Sequence, residues 1–326
     1  MRKINNVPVE AHTDLSNLTG GEVLKWDADS GKMVWELQDG TDYVPVYWYG
    51  GRGIFLGRNP SSANDTIDYI TIASTGNAID FGDQSTASEA TRGVTNSTRG
   101  VISGYSDNRI DYITISTTGN ATDFGDTTAS RSNCGSLSDG TTGLFCGGVS
   151  SNVIDYITIS TTGNATDFGD MSTAAAYSSG GSNGARGVVA SVGDMEYITI
   201  ASTGNASDFG DLSVDTRTPN GTDNATRAIF IGGYDGGGSE YSNVIEYITI
   251  SSTGNASDFG NLWTGLNGVG AASNGTGDRG VFAGGVVWDD SRKNEISYVT
   301  ISSTSDSTDF GDLTTNGMGA NGMSGD

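Results

Sequence analysis

Carboxylates recur through this chain as i, i+3 pairs: Asp80/Asp83, Asp123/Asp126, Asp167/Asp170 and Asp208/Asp211. Oxygen-rich pairs of this kind are the raw material of Ca²⁺ sites and of two-carboxylate glycoside hydrolysis. Each pair, however, stands in the same four letters, Asp-Phe-Gly-Asp, and an active site is needed only once. Repetition therefore reads as scaffold, with the first Asp accepting turn hydrogen bonds and the second solvated; Ca²⁺ ligation is the alternative, although no loop gathers carboxylates densely. Asp-Phe-Gly shares its letters with the kinase magnesium motif, yet neither a catalytic loop nor a strand lysine accompanies it. The acids outside the repeat, Glu89, Asp215, Asp289 and Asp290, form no pattern. His12 is the only histidine, which excludes histidine-based triads and multi-histidine metal sites. No P-loop, strand-borne GxGxxG or paired CxxC is present. The expectation is no enzyme, no cofactor and no metal.

Two cysteines, Cys134 and Cys146, flank a turn near Gly140 and would face each other on paired strands. Two readings stand: small buried hydrophobes, or a cross-strand disulfide, which needs unusual geometry and an oxidising setting.

The elements that position these residues come from a repeat. A sixteen-residue unit, DYITIASTGNAIDFGD in its first copy, begins at Asp68, Asp111, Asp155, Glu196, Glu246 and Ser297. Its tyrosines, Tyr69, Tyr112, Tyr156, Tyr197, Tyr247 and Tyr298, recur every 41 to 51 residues. A period in that range marks one supersecondary unit packed against copies of itself. Ile70 and Ile72 alternate with Tyr69 and Thr71, the period-two pattern of a strand, and Ser74 to Asn77 supply the residues of a tight turn. Before each copy lies a short apolar strand led by Arg or Thr: RGIFLG from Arg52, RGVISG from Arg99, TGLFCGG from Thr142, RGVVAS from Arg186, RAIFIGG from Arg227 and RGVFAGG from Arg279. A looser Gly/Ser/Asn-rich strand precedes that. Four antiparallel strands, copied six times without helix signals, predict an all-β, six-bladed β-propeller. The tail from Thr314 to Ser324 matches the loose strand of a unit and is expected to complete the first blade as its outer or inner strand, removing an exposed edge. Residues 44–326 are thus the propeller, and residues 1–43 a separate N-terminal segment. In that segment EVLKWD, a turn at Ala28 to Gly31 and KMVWE predict a β-hairpin carrying Trp26 and Trp35. So short a hairpin does not bury two tryptophans, so they pack back on the propeller or attach to another subunit.

Composition narrows the partners. A net charge of −23 argues against nucleic acid and anionic membranes. No apolar stretch is long enough to span a bilayer, and the start carries no secretory apolar run, so synthesis in a cytoplasm is expected.

The order of glycine pair, variable loop, aromatic strand, turn and late aromatic resembles kelch repeats, with Tyr69 and Phe81 at the kelch tyrosine and tryptophan positions. All six copies carry Phe where kelch repeats place tryptophan, and only three keep the full Gly-Gly. The wording YITI…TGNATDFGD, over Arg52 to Asp326, resembles repeats in virion structural proteins of tailed phages of marine bacteria. The N-terminal hairpin resembles hairpins of phage tail and fibre proteins. The resemblance implies a virion protein: a tail-associated fibre, spike or adaptor with a host-recognition role, present in several copies and joined to other virion subunits through Trp26 and Trp35. A capsid-surface decoration protein and a glycan-cleaving propeller are the alternatives; a bacterial surface adhesin is disfavoured by the missing export signal.

Where the copies differ, the loops between the Arg-Gly and Tyr strands grow longest in blades five, six and one. Function sits on loops held by a rigid frame, so Arg58, Tyr234, Tyr241, Trp288, Arg292 and Lys293 are the expected binding residues for a host-surface glycan or protein, against the bland reading of tolerated long loops.

Overall fold

In the computed structural model, strand backbone is described for residues 3–4, 7–8, 22–27, 32–37 and 216–217. Residues 49–56, 64–88, 91–105, 107–174, 177–214, 220–235, 240–317 and 321–325 are described beyond that. The chain divides into two compact units, Met1–Val46 and Tyr47–Asp326.

Within the first unit, Lys3–Ile4 pairs antiparallel with Val7–Pro8, and Glu22–Asp27 with Lys32–Leu37. The predicted hairpin is therefore present, its register running from Glu22↔Leu37 to Asp27↔Lys32. Trp26 and Trp35 lie in its two strands; their side chains fall outside what is described.

The second unit is a six-bladed propeller of four-stranded antiparallel sheets. Blade two shows the pattern: inner strand Arg92–Thr95, second strand Arg99–Ser103, third strand Arg109–Thr114 and outer strand Thr122–Asp126. The looser Gly/Ser-rich strand is the inner one in every blade, where its many small residues let six strands converge on one axis. They enclose a void of about 90 Å³. Blade one takes its inner strand from the C-terminus: Asn321–Gly325 pairs with Arg52–Leu56, Asn321 opposite Leu56 and Gly325 opposite Arg52. That pairing closes the ring and leaves the Arg52–Leu56 strand flanked on both sides.

Alternation along each strand feeds two different cores. Ile70 and Ile72 pack with Val281, Ile296 and Phe310 of blade six, whereas Ile54, Ile67 and Phe81 pack with Ile102, Ile113 and Ile115 of blade two. The apolar interior is thus six inter-blade seams rather than one centre. Cys134 and Cys146 obey the same rule. Gly135 opposes Cys146, so Cys134 is one residue out of phase and points to the other sheet face. Cys134 joins the core shared with blade two and Cys146 the core shared with blade four; both are free and buried, as small hydrophobes.

The repeated sixteen residues clasp neighbouring blades. In each outer strand the Phe is an extra residue, marked by a register shift: Ile67 opposes Gly82 while Asp68 opposes Asp80, leaving Phe81 between them. The bulged Phe turns inward against its blade's Tyr in an edge-to-face pair, Tyr69 to Phe81 at 6.1 Å. The following glycine holds φ 146°, and a Cβ there would lie 2.5 Å from the Gly119 carbonyl oxygen of the next blade. Gly119 N donates to Phe81 O (2.8 Å), Ala121 N to Asp83 O (2.8 Å), and Asp83 N to Asn120 Oδ1 (3.1 Å). The chain reversal expected at Ser74 to Asn77 closes earlier, where Ser74 N meets Thr71 O at 3.2 Å; Gly76 and Asn77 instead reach the outer strand of blade six, with Gly76 N donating to Phe310 O. This edge pairing accounts for the motif's Phe, its Gly and the backbone of its second Asp.

A second clasp uses the arginine that leads the second strand. Arg52 stacks on Tyr69 at 4.4 Å and donates to Ile115 O of the next blade at 2.6 Å. Arg99, Arg186, Arg227 and Arg279 repeat both contacts, reaching Ile159, Ile250, Ile301 and Ile72. Blade three carries Thr142 at this position, so its seam with blade four lacks this strap.

Candidate functional site

Strand direction gives the ring two unlike faces. One, the hairpin face, carries the inner-to-second and third-to-outer turns. The other, the loop face, carries the second-to-third loops and the connections between blades.

Among the described residues, six large apolar side chains are exposed, and five of them, Val149, Tyr177, Val192, Trp263 and Trp288, stand on loop-face segments; Ile79 is the exception.

The described residues of the blade-five and blade-six loops share one pattern of backbone ties. Each second strand there ends in a glycine pair with positive φ at both residues: Gly232 at 61° and Gly233 at 99°, Gly284 at 70° and Gly285 at 104°. A Cβ on Gly232 would lie 2.6 Å from Leu266 O, so only glycine lets the loop leave the strand so close to the inter-blade connection. Backbone hydrogen bonds then fasten the loop down: Gly233 N to Leu266 O (2.9 Å), Leu266 N to Ser242 O (3.1 Å) and Ser242 N to Gly233 O (2.9 Å). Asn267 and Val286 exchange two hydrogen bonds, of 3.0 and 2.9 Å, joining blade five's connection to blade six's loop. At the tip of that loop Val287 N meets Ser291 O at 3.1 Å and Asp290 N meets Val287 O at 2.9 Å, which lifts Trp288 and Asp289 outward.

On this frame three rings converge. Tyr234 and Tyr241 lie 5.9 Å apart, Tyr234 and Trp288 6.2 Å, and Tyr241 and Trp288 5.3 Å with planes at 74°. The tyrosines are half-buried, whereas Trp288 remains 53 % exposed. Amphipathic rings held rigidly with one edge in solvent give large contact area at low entropic cost. Beside Trp288, Asp289 is held below the ordinary carboxylate range, chiefly by hydrogen bonds from Ser291.

Tyr234, Tyr241 and Trp288 of the sequence-derived set are therefore brought together. Lys293 lies on the same loop, its Nζ 5.8 Å above the ring of Trp263, and its backbone N–H donates to Gly285 O. Arg292 stands beside it, bridged through its backbone to Val286. Arg58 lies outside the described residues.

Trp263 was missed by loop length alone, yet the repeat carries its signal. In five seams a buried or half-buried acid at the start of the repeat accepts from the residue two places beyond the previous blade's outer strand. Thr314 N and Oγ1 meet Asp68 (3.0 and 2.7 Å), Thr128 N meets Asp155 (2.9 Å), and Ser213 N meets Glu246 (2.7 Å). Ser85 with Asp111 and Ser172 with Glu196 complete the set. At the seam between blades five and six the acid is Ser297 and the hydroxyl residue is Trp263, 50 % exposed. Both partners of the clasp are absent together, and an exposed indole stands in their place.

No family model matches the chain, and no curated protein matches it.

Proposed function

We propose that this chain is a non-enzymatic virion structural protein, a tail-associated fibre, spike or adaptor, whose loop face binds a host-surface glycan or protein. The observation that carries the reading is the convergence of Tyr234, Tyr241 and Trp288 on a hydrogen-bonded frame, with Trp263 and Lys293 close by on the same face. The resemblance of the repeat to virion proteins of tailed marine phages sets the biological context. In this reading the N-terminal segment joins other virion subunits through Trp26 and Trp35, and several copies act together, so weak single contacts add through multivalency. A capsid-surface location is compatible with the same binding face.

An enzyme is the competing class. Asp289, the acid nearest the exposed Trp288, is shifted opposite to a glycosidase general acid, which must keep its proton near neutrality.

The deciding experiment is binding of the full-length protein to intact host cells. Y241A and W288A are each expected to weaken it by roughly tenfold, the effect of removing about 1.4 kcal/mol of contact, without lowering the melting temperature. Unchanged binding in both variants overturns the assigned face. Release of reducing ends from host polysaccharide overturns the non-enzymatic reading, and electron microscopy of the intact particle places the chain on tail or capsid.

A further inference from the structure

Three departures from the repeat meet at the hairpin-face mouth of the axial void. The first concerns the fourth residue of each inner strand: in blade order Ser324, Thr95, Ser138, Ser182, Asp223 and Ser273, all buried. In blade three Ser138 Oγ accepts from Gly140 N (2.8 Å), capping its own turn, and donates to Thr95 O of blade two (2.8 Å). Ser273 of blade six likewise accepts from Gly275 N and donates to Asp223 O of blade five. Asp223 keeps the capping role, taking Ala225 N at 3.0 Å, but its other oxygen accepts from Ser182 N at 3.0 Å. An ionised carboxylate has no proton to donate, so Ser182 O of blade four receives no hydroxyl from blade five.

The second departure is in blade six. The turn between inner and second strands occupies residues 96–98, 139–141, 183–185 and 224–226 in blades two to five, but residues 274–278 in blade six. The longer turn contains a 3₁₀ segment, Gly275–Gly277, in which Gly275 holds φ 54°. A Cβ on Gly275 would collide with the ring of Tyr49, so glycine leaves that ring a seat on the backbone.

The third departure is Tyr49 itself. It precedes the second strand of blade one, where the other blades have a closed turn, because blade one takes its inner strand from the C-terminus. Its ring lies on Gly275 of blade six and lines the void, and its hydroxyl donates to Ser182 O of blade four at 3.4 Å. One side chain thus ties blade one to two blades across the ring, and it brings Ser182 O the hydroxyl that blade five does not supply.

We propose that Tyr49 is a latch that closes the hairpin-face mouth of the axial void and fastens the incoming chain to the ring axis, in place of the inter-blade hydroxyl that Asp223 lacks. The chain before Tyr49 then leaves the propeller on the face opposite Tyr234, Tyr241 and Trp288. Where that chain is an attachment, load on it reaches blades four and six instead of peeling the Arg52–Leu56 strand. This consequence rests on the function proposed above; the latch does not.

The test uses full-length protein in denaturant titration at pH 8, where Asp223 is ionised. Y49F is expected to lower the folding constant roughly fivefold, the loss of one hydrogen bond of about 1 kcal/mol. D223S restores a serine able to serve Ser182 O, so adding Y49F to D223S should change the constant by less than about twofold. A Y49F effect equal in both backgrounds, or none in the wild type, overturns the exchange of hydroxyls. Y49A is read by amide hydrogen exchange. Ile72 N donates to Gly51 O at 2.8 Å, close behind Tyr49, and Ile115 N makes the matching bond to Thr98 O in blade two at 2.9 Å. Y49A should speed exchange at Ile72 roughly tenfold and leave Ile115 unchanged. An unchanged rate at Ile72, or equal acceleration at both amides, overturns the fastening of the incoming chain. Neither readout involves host binding, so failure of the latch and failure of the virion reading are told apart.

Discussion

The hairpin face and the loop face are assembled from the same six blades under opposite rules. On the hairpin side every blade spends its repeated residues on its neighbour. The Gly-Asn segment, Ser-Asp in blade six, pairs with the preceding outer strand, and in five blades the leading arginine stacks on its tyrosine and reaches the next blade's carbonyls. On the loop side, connections differ in length from blade to blade, glycine pairs open only in some, and the seam between blades five and six exchanges an acid–hydroxyl clasp for the exposed Trp263. Constraint and variation are thus segregated across the thickness of one sheet. A closed ring fails if any seam fails, so the seams reuse one pattern, with the strap missing only where Thr142 replaces arginine. A binding face gains nothing from identity.

That comparison breaks most visibly if ring closure is removed. Deleting residues 321–326 strips blade one of its inner strand and exposes the edge at Arg52–Leu56. The melting temperature should fall by about 10 °C or more, with aggregation on heating. An unchanged melt would refute closure by the C-terminus. Next in size is G125A: a Cβ there would lie 2.5 Å from Gly163 O, at φ 151°, so a loss of about 2–4 kcal/mol is expected in denaturant titration. The arginine strap is smaller and can be tested in both directions. R227M should cost about 1–2 kcal/mol. T142R, which offers the strap to the seam where it is missing, should gain up to about 1 kcal/mol; a loss there would show that the seam between blades three and four has settled differently.

The hairpin face also holds one titrating member. Four inner strands carry Ser at the position of Asp223, and a fifth Thr. Asp223 is buried and accepts from Ser182 N and Ala225 N at 3.0 Å, yet desolvation raises its pKa to about 7. The folded state therefore holds a proton that the unfolded chain has released above about pH 4. Stability from this group falls as pH rises from about 4 to 7 and is level above that. D223S should melt higher than wild type at pH 8, and the difference should shrink toward pH 5. The smallest stability effect belongs to the loop face: W288A should change folding by less than about 0.5 kcal/mol. A large loss there would make Trp288 part of the frame and erase the distinction between the faces.

Much of the frame was legible in the chain. Blade number, strand order and the C-terminal contribution follow from six copies of Tyr-Ile-Thr-Ile and from the tail's likeness to the loose strand, because period and alternation are local properties. The grouping of Tyr234, Tyr241 and Trp288 was legible as loop length, though their ring-to-ring distances were not. Two signals lay in plain letters and needed the structure to be read. Arg52 and its copies looked like strand starts, while their reach to Ile115 depends on which blade stands beside which. Trp263 looked like an ordinary residue until its five counterparts proved to be Ser or Thr facing an acid. Gly76 and Asn77 were misplaced into a local turn for the same reason: their partners, Phe310 and Asp312, lie 234 and 235 residues away along the chain.

By itself the sequence determined that there are six units, that each is four short strands, and which residues alternate inward. Those are consequences of periodicity and of backbone chemistry within a few residues. Only the tertiary structure decided where the two faces of each strand lead and that Cys134 and Cys146 belong to different cores. The physical reason is that these depend on rotation about the ring axis, which brings together segments some fifty residues apart or, at closure, the two ends of the propeller.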